Sequence, residues 1–189
     1  MVRKHETDQE RQARIYPVII SAYNPAWAEW YAEEKANLER LIGAENIARI
    51  SHFGSTSVPG LTAKPTVDIL LEIKEDANVS KLIDALPSPE YICLNPPDMP
   101  TPPPHLMLLK GYLPDGFAEK VYHIHVRYHG DPDELYFRDY LVAHPETAAE
   151  YAALKRRLLK EYEHDRDGYT EAKTEFIRNV TQKAREETV

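Results

Sequence analysis

The order of strand-like and helix-like segments is the feature that most narrows the folds open to this chain. Short apolar stretches rich in β-branched residues lie in the first two-thirds and predict five strands: residues 47–53, 66–73, 91–94, 106–112 and 120–128. Charged segments with apolar residues at helical spacing fill the last third and predict three helices: residues 133–143, 145–163 and 169–183. This order predicts an α+β (mixed α/β) fold with a helical C-terminal layer.

Local signals add detail to this outline. Pro25 suits the first turn of a helix, apolar residues then recur near helical spacing, and Gly43 provides a stop signal. The turn Pro114-Asp115-Gly116 joins the last two predicted strands and makes an antiparallel hairpin plausible. Residues 16–20 predict an opening strand or extended segment. Residues 95–104, of which six are proline, predict a stiff, exposed spacer.

The length and the termini suggest how the chain is organised. A chain of 189 residues is long enough for one domain of ordinary size. Residues 15–184 are predicted to form that domain, with residues 15–130 as the sheet core and residues 131–184 as the helical part. The polar and charged start, residues 1–14, is predicted to be a flexible tail.

The composition excludes several classes of protein. The net charge is −8, whereas a protein that binds long nucleic acids normally presents a basic face, so no such partner is expected. A local group of lysines and arginines could still hold a small anion. The single cysteine, Cys93, allows no intrachain disulfide and fits a reducing, cytoplasmic compartment, where it is expected to be a buried, inert thiol. No apolar run is long enough for a transmembrane helix, and no membrane partner is expected.

A small-residue turn follows the first predicted strand. Gly54 lets the backbone approach an anion closely, and a helix that opens at Ser55 would offer unpaired N–H donors and a partial positive charge. The hydroxyl groups of Ser55 and Thr56 add further donors. A glycine and a serine alone are weak indicators, and the next strand is what raises their significance.

Asp68 stands inside the apolar run of that next strand. A carboxylate is rarely buried without a partner, so Asp68 lies either on an exposed face or beside a cation. Metal-dependent phosphoryl transfer favours a second carboxylate two residues on, where this chain has Leu70. Glu72 shares the face but lies about 13 Å from Asp68 at ~3.3 Å per residue. The carboxylate set for a metal is therefore incomplete.

His123 and His125 alternate on the last predicted strand and should share one face. Two imidazoles at this spacing can coordinate a metal or donate to a phosphate. They can equally be two half-buried histidines with a structural role. If they do bind a metal, Mn or Zn becomes as plausible as Mg, because Mg prefers oxygen ligands.

Several ordered motifs carry a resemblance to a known family. They are YNPAW at residues 23–27, HFGSTSVPG at 52–60, AKPTVD at 63–68, HIHV at 123–126, FRDYL at 137–141, HP at 144–145 and YTEAK at 169–173. On these motifs the chain resembles the GrpB-like family of the nucleotidyltransferase superfamily, and the resemblance covers about residues 16–180.

The resemblance implies a mixed or antiparallel sheet flanked by helices, a nucleoside triphosphate beside the turn, and a divalent metal (Mg, Mn or Zn). Gly54 and Ser55 would hold phosphate, and Asp68 would be the first metal ligand, joined by His123 and His125. The basic residues at family motifs or beside them could balance phosphate charge: Lys64, Lys110, Lys120, Arg138 and Lys173.

Two functions follow as expectations. The first is metal-assisted transfer of a nucleoside monophosphate from a nucleoside triphosphate to a small acceptor, with Asp68, His123 and His125 as catalytic residues. The second is a binding module that keeps the phosphate site without turnover, which the leucine at position 70 favours. A histidine-triad phosphohydrolase is disfavoured because the third histidine position holds Arg127. A protein-interaction role for the acidic C-terminal helices has no motif in its support.

Overall fold

The structure, a computed structural model, describes residues 7–94 and 105–188. Its five strands are β1 (Ile47–Phe53), β2 (Val67–Ile73), β3 (Tyr91–Leu94), β4 (Leu106–Leu113) and β5 (Gly116–Tyr128). They form one sheet in the order β1-β2-β5-β4-β3. Strands β2 and β5 run parallel and the other neighbours run antiparallel, so the sheet is mixed.

Seven helices accompany the sheet in the described part of the chain: α1 (Asp8–Ile15), α2 (Ala26–Ile42), α3 (Val79–Asp84), α4 (Asp133–Ala143), α5 (Pro145–Tyr162), α6 (Arg166–Glu171) and α7 (Thr174–Thr188). As predicted, Pro25 stands at the start of α2, and Gly43 ends the helix with a φ of 80°. Within these same residues, no helix combines the length and the apolar character needed to cross a membrane. The predicted mixed α+β architecture is confirmed.

The main core lies between one sheet face and helices α2 and α3. Leu38 from α2, Leu82 from α3, Ile69 from β2 and Ile124 from β5 are buried there. Strand β2 lies between β1 and β5, and Asp68 is its one residue that is not buried. The apolar run predicted in the sequence is therefore an interior strand of the sheet, and its aspartate marks an opening.

The C-terminal helices form a second layer beside the turn that follows β1. Val58 and Leu61 from this turn pack with Phe137, Tyr151 and Val180. A third cluster joins three buried residues from distant segments: Val18, Leu158 and Tyr169. This packing places α5 and α6 next to the turn between β1 and β2.

Two predictions about the termini need correction. The flexible tail predicted over residues 1–14 includes most of α1, which Thr7 begins with a capping box to Glu10. The helix also docks, because Nδ1 of His164 lies 3.2 Å from the carbonyl oxygen of Ala13. The helix predicted over residues 169–183 is two helices, because the chain turns at Ala172 between α6 and α7.

Other predictions differ less from the structure. Residues 16–20 are extended and lie outside the sheet, and the adjacent Ser21 makes a single bridge to Ala63. The hairpin of β4 and β5 is present with longer strands than predicted. Cys93 is partly buried on the edge strand β3, and burial raises the pKa of its thiol. The predicted proline-rich spacer at 95–104 lies outside the described residues.

Candidate anion-binding site

Asp68 and Gly54 meet where β1 ends. Asp68 pairs with Phe53 across the antiparallel strands, so its side chain comes against the next residue, Gly54. Gly54 has a φ of 70°, and a Cβ built on it would lie 2.4 Å from Oδ2 of Asp68. Only glycine fits this position, because both the backbone conformation and the space exclude a side chain. The turn and the aspartate therefore form one unit.

A chain of polar contacts links Asp68 to helix α6. Nδ1 of His123 lies 3.5 Å from Oδ1 of Asp68, and its Nε2 lies 2.6 Å from the hydroxyl of Tyr112. Arg166 donates to that hydroxyl oxygen at 2.9 Å. Because the oxygen of Tyr112 accepts from Arg166, its own proton can point to Nε2, which leaves the Nδ1 proton of His123 for Asp68. We call these four residues the Asp68 relay.

The predicted metal ligands do not converge as a set. His125 packs edge-on against Phe53 at 4.9 Å between ring centroids, and burial lowers its pKa to about 4. Glu72 is buried and accepts from Arg49, so it supplies no second carboxylate to Asp68. Among residues 7–94 and 105–188, no three His, Cys, Asp or Glu side chains are placed to hold a metal ion. The donor set around Asp68 does not fit a divalent metal.

Three lysines surround this carboxylate instead. Lys155 on α5 is 2% exposed, and its ammonium group donates to Oγ of Ser55 at 2.9 Å and to the carbonyl oxygen of Thr62. Lys173, between α6 and α7, is buried, and Lys64 lies on the segment that leads into β2. The charge of Asp68 acts on all three ammonium groups. We call Lys64, Lys155 and Lys173 the lysine cluster.

Tyr169 forms one wall of the lysine cluster. The ammonium nitrogen of Lys173 lies 4.3 Å from the centroid of its ring, and that of Lys64 lies 5.8 Å away. Tyr169 is fully buried, and its hydroxyl has no hydrogen-bond partner among the residues that the structure describes. Within the same residues, the ammonium groups of Lys64 and Lys173 make no hydrogen bond and no ion pair. Two cations and one hydroxyl donor are therefore left without an acceptor.

The pKa values of these groups reflect the excess of positive charge. Burial, followed by the charges of Lys173 and Arg156, lowers the pKa of Lys155 to about 7. Burial and the charge of Lys64 lower the pKa of Lys173 to about 8. Burial opposes the ionisation of Asp68, yet the hydrogen bond from His123 and the nearby positive charges bring its pKa below the usual value. Burial also lowers the pKa of Lys64, so one carboxylate stands against three ammonium groups whose charged forms are all disfavoured, and a bound anion would stabilise those charged forms.

The turn itself differs from the predicted helix N-terminus. Residues Ser55–Ser57 form a single 3-10 turn, so the aligned N–H groups of a longer helix are missing. Ser55 still faces the lysine cluster through its bond to Lys155. Thr56 is buried and its hydroxyl contacts Nε2 of His52 at 3.0 Å. Thr56 therefore supports the turn from the core side.

The remaining predicted phosphate ligands lie elsewhere. Lys110 is on the opposite sheet face, where its ammonium group contacts the carboxylates of Glu34 and Glu90 at 2.7 Å each. Arg138 on α4 donates to the carbonyl oxygen of His52 at 2.9 Å and pairs with Asp139. Neither residue joins the lysine cluster. Of the predicted residues, the structure gathers Gly54, Ser55, Lys64, Asp68, His123 and Lys173.

Sequence analysis missed four residues of the site: Tyr112, Lys155, Arg166 and Tyr169, the last of which it named only as part of a family motif. Lys155 carried a usable signal, because it follows Tyr151 by four residues and precedes Leu158 by three. A lysine in the apolar stripe of a helix is either paired or functional. Tyr112 and Arg166 carried no local signal, since only the docking of α6 on the hairpin brings them together.

This geometry can be set beside that of known proteins. The GrpB protein family matches residues 17–183 of the chain. The chain belongs to the GrpB family. It is 35% identical to the UPF0157 protein YqkA of Bacillus subtilis over 178 residues, which are 90% of this chain and 49% of YqkA. It is 31% identical to the glutamate-rich protein GrpB of Alkalihalophilus pseudofirmus, over 86% of this chain and 93% of that protein.

The fold is also shared with a solved GrpB structure. The crystal structure of conserved protein GrpB from Enterococcus faecalis has a TM-score of 0.75 and 30% sequence identity, and the match covers 90% of this chain and 99% of that one. A more distant relative is a dephospho-CoA kinase of Mycolicibacterium paratuberculosis, 25% identical over 92% of this chain but only 47% of the kinase. The chain thus spans about half the length of YqkA and of this kinase.

Proposed function

We propose that this protein binds a small phosphate-bearing molecule in the lysine cluster, with nucleotides as the leading class. One observation carries the proposal: three lysines lie within electrostatic range of a single aspartate, and the ammonium groups of Lys64 and Lys173 have no hydrogen-bonding or ionic partner among the described residues. Burying a cation costs free energy unless a counter-charge neutralises it. A bound anion supplies that charge.

Phosphate suits this site better than a singly charged anion. A phosphate monoester carries close to two negative charges at neutral pH and has three acceptor oxygens. Lys64, Lys155 and Lys173 approach from different segments, as point charges that can each meet one oxygen. The hydroxyl of Tyr169 is a further donor without an acceptor. The glycine at position 54 lets the carboxylate of Asp68 lie against the turn, which holds this carboxylate beside Ser55 and the lysine cluster.

The test is calorimetric titration with phosphate, pyrophosphate and nucleoside mono-, di- and triphosphates, without added metal. We expect saturable binding to the wild type and a loss of at least about tenfold in Lys173→Met, since a charged hydrogen bond contributes about 1.5–3 kcal/mol. The matched control is Lys183→Met, which changes an exposed lysine of α7. Equal affinity in both variants, or no binding by the wild type, would overturn the proposal.

Metal-assisted transfer of a nucleoside monophosphate to a small acceptor is a second candidate. The contact between Asp68 and His123 on adjacent parallel strands favours it, as does the resemblance to the nucleotidyltransferase superfamily. Such a reaction needs a divalent metal, for which the donors at Asp68 do not form a full set. We therefore derive no catalytic step through it.

The two candidates are separated by Asp68→Asn. Each nucleoside triphosphate is incubated with Mg, Mn or Zn, and pyrophosphate release is measured together with binding. Release by the wild type that disappears in the variant supports transfer. Binding that persists in the variant, without release by either protein, supports the binding function. The kinase relative adds no third candidate, because the chain matches less than half of that protein.

A further inference from the structure

A recess adjoins the lysine cluster at Lys64. It has a volume of about 200 Å³, and its apolar walls come from the extended N-terminal segment and from β5. Ile19, Phe117, Ala118 and Val121 are the main apolar residues of these walls. We call this recess the Phe117 pocket. Its size suits one ring or a short aliphatic group, since sites for whole drug-sized ligands are about 300–1,000 Å³.

The pocket and the lysine cluster share two cations. Lys64 and Arg166 both line the Phe117 pocket. Lys64 also lies over the ring of Tyr169, and Arg166 also belongs to the Asp68 relay. The guanidinium group of Arg166 lies 5.4 Å from the ring centroid of Phe117. The two sites are therefore one continuous surface, with positive charge at the border.

Strand geometry fixes the spacing between the two sites. Val121 precedes His123 by two residues on β5, and it lines the Phe117 pocket where the register between β4 and β5 shifts. Two residues along a strand correspond to about 7 Å. Consider a ligand whose phosphate lies near His123 and Asp68. A group joined to that phosphate through one sugar or one short linker would then lie beside Val121. Glu119, the one acidic residue of the lining, is exposed, and the other two charged residues of the lining are the cations Lys64 and Arg166 at the border with the lysine cluster.

We propose that the ligand is a phosphate ester whose phosphoryl group binds in the lysine cluster and whose uncharged, apolar or aromatic group enters the Phe117 pocket. This inference rests on the proposed function and narrows it to a class of ligand. Inorganic phosphate and pyrophosphate would fill only the charged half of the site. Nucleoside monophosphates and simple aromatic phosphates share the required chemistry, and the experiment distinguishes between them.

The experiment compares inorganic phosphate, pyrophosphate, phenyl phosphate and the nucleoside monophosphates on three proteins. Ala118→Phe places a ring into the pocket, and Ala32→Phe makes the same change on an exposed position of α2 as a control. We expect the wild type to bind the best ester about tenfold more tightly than inorganic phosphate, as burial of a ring in an apolar pocket would give. In Ala118→Phe this preference should disappear, while inorganic phosphate binds within about twofold of the wild type.

A second variant guards against misfolding of the first. Ile19 is 45% exposed, so Ile19→Ala removes one wall of the pocket at little cost to folding. It should weaken the ester and leave inorganic phosphate unchanged. If a nucleoside monophosphate is the best ester, the class is nucleotide, and if phenyl phosphate is, the class is a smaller aromatic ester. Equal affinities for phosphate and all esters, unchanged in both variants, would overturn this inference alone. Absence of any phosphate binding would overturn the proposed function as well.

Discussion

Asp68 reaches its position because the residue opposite has no side chain. Gly54 and Gly60 both have a positive φ, of 70° and 78°, but a Cβ at Gly60 would meet nothing within 4 Å. Positions 54 and 60 therefore require glycine for different reasons. Gly60 needs it for the backbone conformation only, whereas Gly54 needs it also for the space that Asp68 occupies.

This pair gives a prediction with an internal control. Gly60→Ala should lower the free energy of unfolding by about 1–2 kcal/mol, the cost of a left-handed conformation. Gly54→Ala should cost clearly more, because the new methyl group overlaps Oδ2 of Asp68. Phosphate affinity should fall only in Gly54→Ala. Urea denaturation and calorimetric titration measure both effects, and equal losses of stability in the two variants would contradict the assigned role of Asp68.

The residues of the site differ in how far the sequence could predict them. Gly54, Asp68 and His123 belong to motifs and were predicted individually. Lys173 was one of several basic candidates, and nothing local separated it from Lys110, which has the same charge. The distinction depends on burial and partners, since Lys110 is paired with two glutamates and Lys173 has no such partner in the described structure.

At the scale of elements, helix α6 is the piece that completes the site. It has only six residues, too few to be stable alone, so its position depends on tertiary contacts. Tyr169 anchors it in the core, and Arg166 ties it to Tyr112 on β4. The break after α6 also sets the direction of Lys173. A continuous helix, as the sequence predicted, would have rotated this lysine away from its observed place.

The Asp68 relay should therefore control the mobility of α6. Tyr112→Phe removes the hydroxyl that contacts both Arg166 and His123. We expect faster hydrogen exchange over residues 166–171 and a loss of about 1–3 kcal/mol of stability, because buried donors lose a partner. The control is Tyr16→Phe, which removes a hydroxyl contact to the same hairpin outside the relay. Unchanged exchange in α6 of Tyr112→Phe would show that the relay does not hold this helix.

At the scale of the whole molecule, the cluster is a local excess of positive charge in an acidic protein. The net charge of −8 belongs to the surface as a whole and does not reveal the buried lysines. Their lowered pKa values mean that the fold carries an unfavourable charge which a ligand would relieve. Sites of binding commonly retain such local costs in stability.

A pH series on Lys173→Met tests this account. The pKa of Lys173 is about 8 in the folded protein and 10.5 in an unperturbed lysine. Between these values the unfolded chain binds more protons, so the stability of the wild type gains from rising pH over this window. At pH 6.5 Lys173 is charged in the folded protein, so the free-energy cost of burying its charge is fully present. Lys173→Met should therefore be more stable than the wild type at this pH by about 1–3 kcal/mol. The difference should shrink as the pH rises from 8 to 10.

Ligand should act against this order. At the same phosphate concentration and pH 6.5, the unfolding midpoint should rise more in the wild type than in Lys173→Met, because stabilisation follows affinity for the folded state. The ligand affinity of the wild type should fall above pH 8 as the lysine loses its proton. Thermal unfolding with and without phosphate measures both effects. A variant less stable than the wild type at pH 6.5 would indicate that Lys173 stabilises the free protein.

The sequence by itself determined the succession of strands and helices, the apolar character of β2 and the aspartate within it. Apolar periodicity and turn residues are local properties, and they specify local structure. Only the tertiary structure decided which cations surround Asp68 and which are neutralised elsewhere. Lys155 lies 100 positions from Ser55 in sequence, and the two meet because α5 packs against the turn after β1. The physical reason is that charge and burial depend on what folding brings together, which no single segment encodes.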